Sequence, residues 1–234
     1  MSKARIVILT GAGISAESGV PTFRGPDGLW EGHRVEDVAT PEAFLRDPVL
    51  VQRFYDARRA HLAEVAPNAA HLALGRLDAE WPGDLLIVTQ NVDDLHERGG
   101  ARRLLHMHGE LKSAWCTACD NRHPWPHPLS DLPPCPACRA RGAMRPDIVW
   151  FGEMPYGMHH IYTALDRCEL FIAIGTSGHV YPAAGFVAEA RGAGARCIEI
   201  NLDPSMTSEQ FHESRLGRAG ELVPQLVEEL LQGS

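Results

Sequence analysis

The chain has 234 residues, 44% of them apolar and 22% charged, which suits one large globular domain or a domain carrying an insertion. Its net charge of −8 argues against a broad electrostatic footprint for nucleic acid or an anionic membrane, yet leaves room for a basic substrate such as a lysine-rich peptide. No run approaches the roughly 18 apolar residues of a membrane span, and "MSKARIVILTGAG" reads as a first strand entering a glycine loop rather than a signal peptide, so the cytoplasm is the expected compartment.

The first apolar run, "RIVILT", leads into Gly11-Ala12-Gly13, and Gly11-x-Gly13-x-x-Ala16 then opens a helix. Strand, glycine turn and helix in that order form a dinucleotide fingerprint, in which the glycines let the backbone approach a pyrophosphate. The ribose-binding acid that usually ends a second strand about 20 residues on is missing. "SGVPTFRGPDGLW" stands there instead, so an ordinary dehydrogenase fits poorly.

Residues 29–79 are expected to form a helical insertion. In it, "VQRFYDARRAHLAEV" places Val51, Tyr55, Arg58, Leu62 and Val65 on one helical face. Arg58 thus lies in an apolar stripe one turn from Tyr55. An arginine stays charged, and burying it without a partner is costly. It either pairs with a structural acid such as Glu36 or Asp37 or waits for a ligand.

Further apolar runs follow, "DLLIVT" into Gln90-Asn91-Val92-Asp93, "LFIAI" into Gly175-Thr176-Ser177, and "RCIEI" into Asn201-Leu202-Asp203. "RLLHMHG" and "DIVWFGE" are further strand candidates. Helical patterns at 68–79, 158–166, 183–193 and 221–232 alternate with them. This predicts an α/β fold, a Rossmann-like parallel sheet with helices on both faces, whose ligands bind beyond the carboxyl ends of the strands. The sheet domain is expected to comprise residues 1–28, 80–111 and 147–234.

Residues 112–146 are a module of another kind. Cys116-x2-Cys119, fifteen residues, then Cys135-x2-Cys138 has the spacing of a tetrathiolate zinc site. The intervening "DNRHPWPHPLSDLPP" cannot build a core unaided, so one structural Zn²⁺ is expected to supply its folding energy. Two disulfides are the alternative, which a reducing compartment disfavours. Cys168 and Cys197, beside strand-like runs, read as buried small hydrophobes.

Taken in order, "GAGISAESGVPTFRGPDGLW", "TQNVDDLHERGG", "HMHGEL", the paired Cys-x2-Cys, "VWFGEMP", "GTSGHVYPAAG" and "NLDPS" resemble a sirtuin, an NAD-dependent protein lysine deacylase. The match runs from about residue 6 to residue 230. Tyr55-x-x-Arg58 resembles the signature of the sirtuin class that removes acidic acyl groups, with many bacterial members. The resemblance implies that Gly11, Ala12, Gly13 and Ala16 hold the NAD phosphates and that Phe23, Arg24 and Trp30 belong to the loop over the nicotinamide end. Thr22 stands where many members have Asp. Gln90, Asn91, Val92 and Asp93 would surround the nicotinamide ribose. Gly175, Thr176, Ser177, Asn201, Leu202 and Asp203 would hold the adenosine half, with Ala219 near the adenine. Val149, Trp150, Phe151 and Gly152 would capture substrate backbone as an added strand, a known mode of peptide binding.

Among twelve histidines, His108 occupies the place of the family's catalytic His-Gly and is the expected general base, with Asn91 and Asp93 beside it. His106 would share its strand face and leaves an ambiguity. The implied reaction consumes NAD: acyl oxygen attacks the nicotinamide ribose, nicotinamide leaves, and O-acyl-ADP-ribose and free lysine result. Tyr55 and Arg58 would then bind the carboxylate of a succinyl or malonyl chain, with Ala39 making room. Two other readings share the fingerprint, an NAD- or ADP-ribose-binding sensor and a protein ADP-ribosyltransferase. The sensor has no need of His108, Asn91 and Asp93 together.

Overall fold

A computed structural model describes residues 4–22 and 32–233. In chain order the elements are β1 (Ile6–Thr10), α1 (Gly13–Ala16), α2 (Val35–Val38), α3 (Pro41–Arg46), α4 (Pro48–His61), α5 (Ala69–Glu80), β2 (Leu85–Thr89), α6 (Leu95–Arg98), β3 (Leu104–His106), β4 (Gly109–Cys116), β5 (Arg122–Pro124), β6 (Met144–Ile148), α7 (Met158–Leu165), β7 (Leu170–Ile174), α8 (Phe186–Gly192), β8 (Arg196–Asn201), β9 (Glu213–Leu216) and α9 (Ala219–Gln232).

The apolar runs form a six-stranded, wholly parallel Rossmann-like sheet in the order β3-β2-β1-β7-β8-β9. Side chains alternate across it. Ile6 and Ile8 pack with Leu74 and Leu77 of α5 and Val223 and Leu226 of α9, whereas Val7 and Leu9 face Ile161 of α7 and Phe186 of α8. Both faces are covered, which is why β1 and β7 are buried throughout and apolar except for Thr10 at the end of β1. Register aligns Thr10 with Thr89 and Ile174, and Thr89 with His106, so the strands end on one edge. The order reverses between β1 and β7, and that switch point is where such sheets bind ligands.

Above this edge, α2, α3 and α4 pack against Ile148, Trp150 and Leu111 in a separate apolar cluster. Local signals set their ends. Thr40 and Asp47 accept the backbone N–H groups of Ala43 and Leu50, each followed by a proline at the first helical position. Asp47 and Pro48 start α4 three residues before the apolar stripe begins.

Two boundaries differ from the sequence expectation. Helix α5 is part of the sheet domain, because its apolar face packs on β1, β2 and α9; the helical insertion therefore ends near residue 68 rather than 79. "DIVWFGE" is no strand of the parallel sheet. Only its first two residues are extended partners, in β6 of an antiparallel sheet β5-β4-β6 that carries the cysteine module. Cys168 and Cys197 are buried in the apolar layer under α8, as expected.

Candidate functional site

One cleft of about 1230 Å³ runs along the carboxyl ends of the strands, beneath the helical lobe. Its volume exceeds the 300–1,000 Å³ usual for a single small ligand, so it has room for two substrates. On the sheet side it is lined by Gly11, Ala12, Gly13, Gln90, Asn91, Val92, Asp93, Gly175, Thr176, Ser177, Asn201, Leu202 and Asp203, together with His108. On the lobe side it is lined by Ala39, Tyr55, Arg58, Val149, Trp150, Phe151 and Gly152. Ala16 and Ala219 do not line it. Ala16 ends the single turn of α1, and Ala219 begins α9 with its methyl group in the apolar core. Phe23, Arg24 and Trp30 lie outside the described residues.

The glycines at the switch point serve the protein backbone first. A Cβ on Gly13 would lie 2.7 Å from Gly175 Cα, and one on Gly175 would lie 2.4 Å from the backbone nitrogen of Ile14. The turns after β1 and β7 therefore touch only because both are bare. A second tight approach explains the glycine after His108. Gly109 has φ +83°, and a Cβ there would sit 2.0 Å from the Asp147 carbonyl of β6.

His106 and His108 are held alike and serve different places. Each ring places Nδ1 against a backbone carbonyl of the loop after β2, His106 on Asn91 at 2.9 Å and His108 on Gln90 at 3.1 Å. A carbonyl only accepts, so each Nδ1 carries a proton. His108 lines the cleft with its Nε2 lone pair left to act as a base, and burial pushes its pKa below the ordinary imidazole value. His106 turns Nε2 outward to Glu97 Oε1 at 2.8 Å, away from the cleft lining. Of the two rings, His108 lines the cleft and His106 does not.

Ser15 is the residue that motif reading passed over. It is buried in α1, donates to Asp93 Oδ2 at 3.0 Å, and accepts from Asn91 Nδ2 at 3.1 Å. The Asn91 amide also donates to the Gly11 carbonyl, and Leu95 N–H donates to Asp93 Oδ1. Burial raises the pKa of the Asp93 carboxyl, and these donors partly offset it. The signal was a serine two residues after Gly13, on the first turn of an apolar helix, where a hydroxyl must find partners.

On the lobe wall Arg58 is nearly buried, at 8% exposure. Its guanidinium stacks on the Phe54 ring, 3.2 Å from the centroid, and donates to the Phe54 carbonyl at 2.6 Å. Asp37 pairs with Arg46, and Glu36 with Arg34. Tyr55 is fully buried and accepts the Trp150 indole N–H at 3.0 Å. Burial pushes its phenol well above the ordinary value, so it stays neutral.

The segment expected as an added strand is a tight turn. Its N–H groups are committed within the protein: Val149 to the His108 carbonyl, Phe151 to the Ala39 carbonyl, Trp150 to the Glu153 carboxylate and Glu153 to the Trp150 carbonyl. A peptide passing here would meet carbonyls and Gly152 rather than a full strand edge.

The cysteine module fits its metal. Cys116 and Cys138 Sγ are 3.7 Å apart, as are Cys119 and Cys135, and all four cysteines are free of disulfides. A tetrahedral zinc with Zn–S bonds of about 2.3 Å separates its sulfurs by about 3.8 Å. Asn121 Nδ2 lies 3.3 Å from Cys119 and His123 Nε2 lies 3.5 Å from Cys135, placing polar groups around the thiolates. The module is tied to the lobe through Asp56 of α4, which accepts from Arg59 and from the Leu129 and Ser130 N–H groups.

Comparison with known proteins agrees with this geometry. The Sir2 family model matches residues 11–182. A protein of Shewanella oneidensis named NAD-dependent protein deacylase is 56% identical over 230 residues, 97% of this chain and 95% of its own. Among solved structures, a Sir2 homolog–NAD complex superposes with a TM-score of 0.89 at 39% identity, over 98% of this chain and 90% of that one. A Sir2–p53 peptide–NAD⁺ complex superposes at 0.81 with 28% identity, over 96% and 92%. The chain belongs to the Sir2 family.

Proposed function

We infer that the protein is an NAD-dependent protein-lysine deacylase, and we propose that it removes acidic acyl groups, succinyl and malonyl, besides acetyl. The observation that carries the acyl reading is the shared cleft: Tyr55 and Arg58 form one wall of the space that His108 lines. Arginine presents a planar fork that suits a carboxylate, and a phenol adds a neutral donor.

NAD, when bound, supplies the ADP-ribose that accepts the acyl group and the nicotinamide that leaves. The chain's own residues do the rest. The bare backbone at Gly11–Gly13 and Gly175 gives the phosphates room, and Thr176, Ser177, Asn201 and Asp203 hold the adenosine half. Asn91 and Asp93, locked to one another through Ser15, flank the nicotinamide ribose. His108 takes a proton from a ribose hydroxyl at Nε2, while the Gln90 carbonyl on Nδ1 steadies the imidazolium that results. Ala39 leaves space for the acyl chain, and the turn at residues 149–153 meets the peptide. The parallel sheet serves NAD, the helical lobe serves the acyl-lysine, and zinc holds the cysteine module that Asp56 ties to the lobe. The enzyme works in the cytoplasm on acylated proteins.

The test is a panel of acetyl-, succinyl- and malonyl-lysine peptides with NAD, read by mass spectrometry. Free nicotinamide and O-acyl-ADP-ribose from acidic acyl peptides support the reading. Label retained on protein would make the chain a transferase, and acetyl-only turnover would remove the acidic acyl assignment.

A further inference from the structure

Besides the four cysteines, one other cluster among the described residues gathers metal-ligating atoms. Glu97 of α6, His106 at the end of β3 and Glu110 of β4 bring one ligand atom each within 4.8 Å of one another. They line a separate surface hollow with Gly100, Leu104 and Arg102. The three lie on consecutive elements, α6, β3 and β4, and the turns between these elements bring their side chains together.

We propose that Glu97, His106 and Glu110 form a second metal site, for a divalent first-row transition ion such as Zn²⁺. The donor set is one imidazole nitrogen and two carboxylates, which suits Zn²⁺ or Mn²⁺ and gives no advantage to Mg²⁺ or Ca²⁺. The imidazole is already fixed as a ligand needs to be. Its Nδ1–H is anchored on the Asn91 carbonyl at 2.9 Å, the second-shell contact that metal-binding histidines commonly make, and this aims Nε2 at the carboxylates. Both glutamates are exposed, so their side chains can rotate to bond lengths of about 2.0–2.2 Å. Without metal, Nε2 and Glu97 Oε1 share a proton across 2.8 Å. Metal binding replaces that proton, which leaves to solvent. Two carboxylates against the single guanidinium of Arg102 keep the hollow negative when the imidazole is neutral. The ion would stand one imidazole away from the Asn91 backbone.

The test uses the full protein with its structural zinc in place. It is dialysed against micromolar Zn²⁺ in excess Mg²⁺, and zinc per chain is measured by atomic emission. Two zinc ions per wild-type chain are expected, and one in the Glu97→Gln/Glu110→Gln variant, whose retained zinc reports an intact cysteine module. Calorimetric titration of Glu110→Gln alone should show the second zinc weakened about tenfold or more, at least what outer-shell changes cost elsewhere. One zinc in the wild type overturns the site. So do two zinc ions in the double variant, or an unchanged affinity in Glu110→Gln.

Discussion

The Trp150 indole N–H donates to the Tyr55 hydroxyl across 3.0 Å, and this fixes which way that hydroxyl works. An indole nitrogen only donates, so the Tyr55 oxygen accepts and its own proton is directed to another acceptor. Trp150 is itself held from behind. Arg145 stacks on its ring, 3.4 Å from the centroid, while binding the Glu153 carboxylate through both terminal nitrogens. Burial keeps the Tyr55 hydroxyl neutral, on the same cleft wall as Arg58.

Acyl selectivity is therefore expected to separate on mutation. A charge-assisted hydrogen bond contributes about 1.5–3 kcal/mol, so Arg58→Met should cut kcat/KM for a succinyl peptide about 10²-fold or more. Deacetylation should stay within a few-fold, because an acetyl group has no carboxylate to lose. Tyr55→Phe should show the same pattern more weakly. The measurement is kcat/KM for acetyl and succinyl versions of one peptide. An equal fall in both would mean that Arg58, stacked on Phe54, serves the fold alone.

His108→Ala should lower turnover by about 10²–10⁴-fold, the usual cost of losing a general base, with NAD binding little changed. Burial lowers the His108 pKa, so the neutral, basic form persists to a lower pH than for a free imidazole. The acid limb of the wild-type pH–rate profile should then fall below the ordinary value of 6.5. An acid limb above that value, or a variant within threefold of wild type, would contradict the assignment.

Zinc is expected to hold the module and, through Asp56, the lobe. Cys119→Ser should lose metal and stability together, because the segment between the cysteine pairs has only a small apolar cluster of its own. A cost of several kcal/mol lowers Tm by roughly 10 °C or more in a chain of this size. Metal content by atomic emission and Tm by calorimetry check this. A zinc-free variant melting with the wild type would show the module to be self-supporting.

Acid should destabilise the protein through its buried histidines. His71 and His96 lie with ring centroids 5.0 Å apart under α1, and burial pushes His71 down from 6.5 to about 4 and lowers His96 strongly. The unfolded chain then binds protons that the folded chain does not. Stability is full above about pH 6.5 and is lost as pH falls toward 4, by about 3 kcal/mol for His71. Urea midpoints across this window should fall less steeply in His71→Gln than in wild type. Equal slopes would remove His71 from the account.

Apolar runs alternating with helical patterns carried most of the sheet: "RIVILT", "DLLIVT", "LFIAI" and "RCIEI" are apolar without alternation, as strands covered on both faces are, whereas β9, Glu213–Leu216, has no such run and was not legible. The polar turns that follow had to gather on one edge, because parallel strands share a direction. Cysteine spacing determined the metal module for a similar reason, since four thiolates at short range need no distant partner. Motif order supplied the family and most of the cleft lining.

Tertiary structure decided what depends on contacts between distant segments. Helix α5 meets β1 and α9, so the helical pattern at 68–79 belongs with the alternating strands and not with the insertion, a boundary that only the packing fixes. The turn at residues 149–153 lost its strand edge to Glu153 and to the Ala39 and His108 carbonyls, partners far apart in the chain or folded back by a turn. Ala219 fell into the core because the first turn of α9 packs inward. His106 and His108, alike in sequence, parted only when successive carbonyls of the β2 loop took their Nδ1 protons and Glu97 took one ring outward. Sequence can name a side chain's chemistry and its neighbours along the chain. Which acceptor a ring nitrogen meets is set by backbone brought in from elsewhere, and only the folded chain brings it.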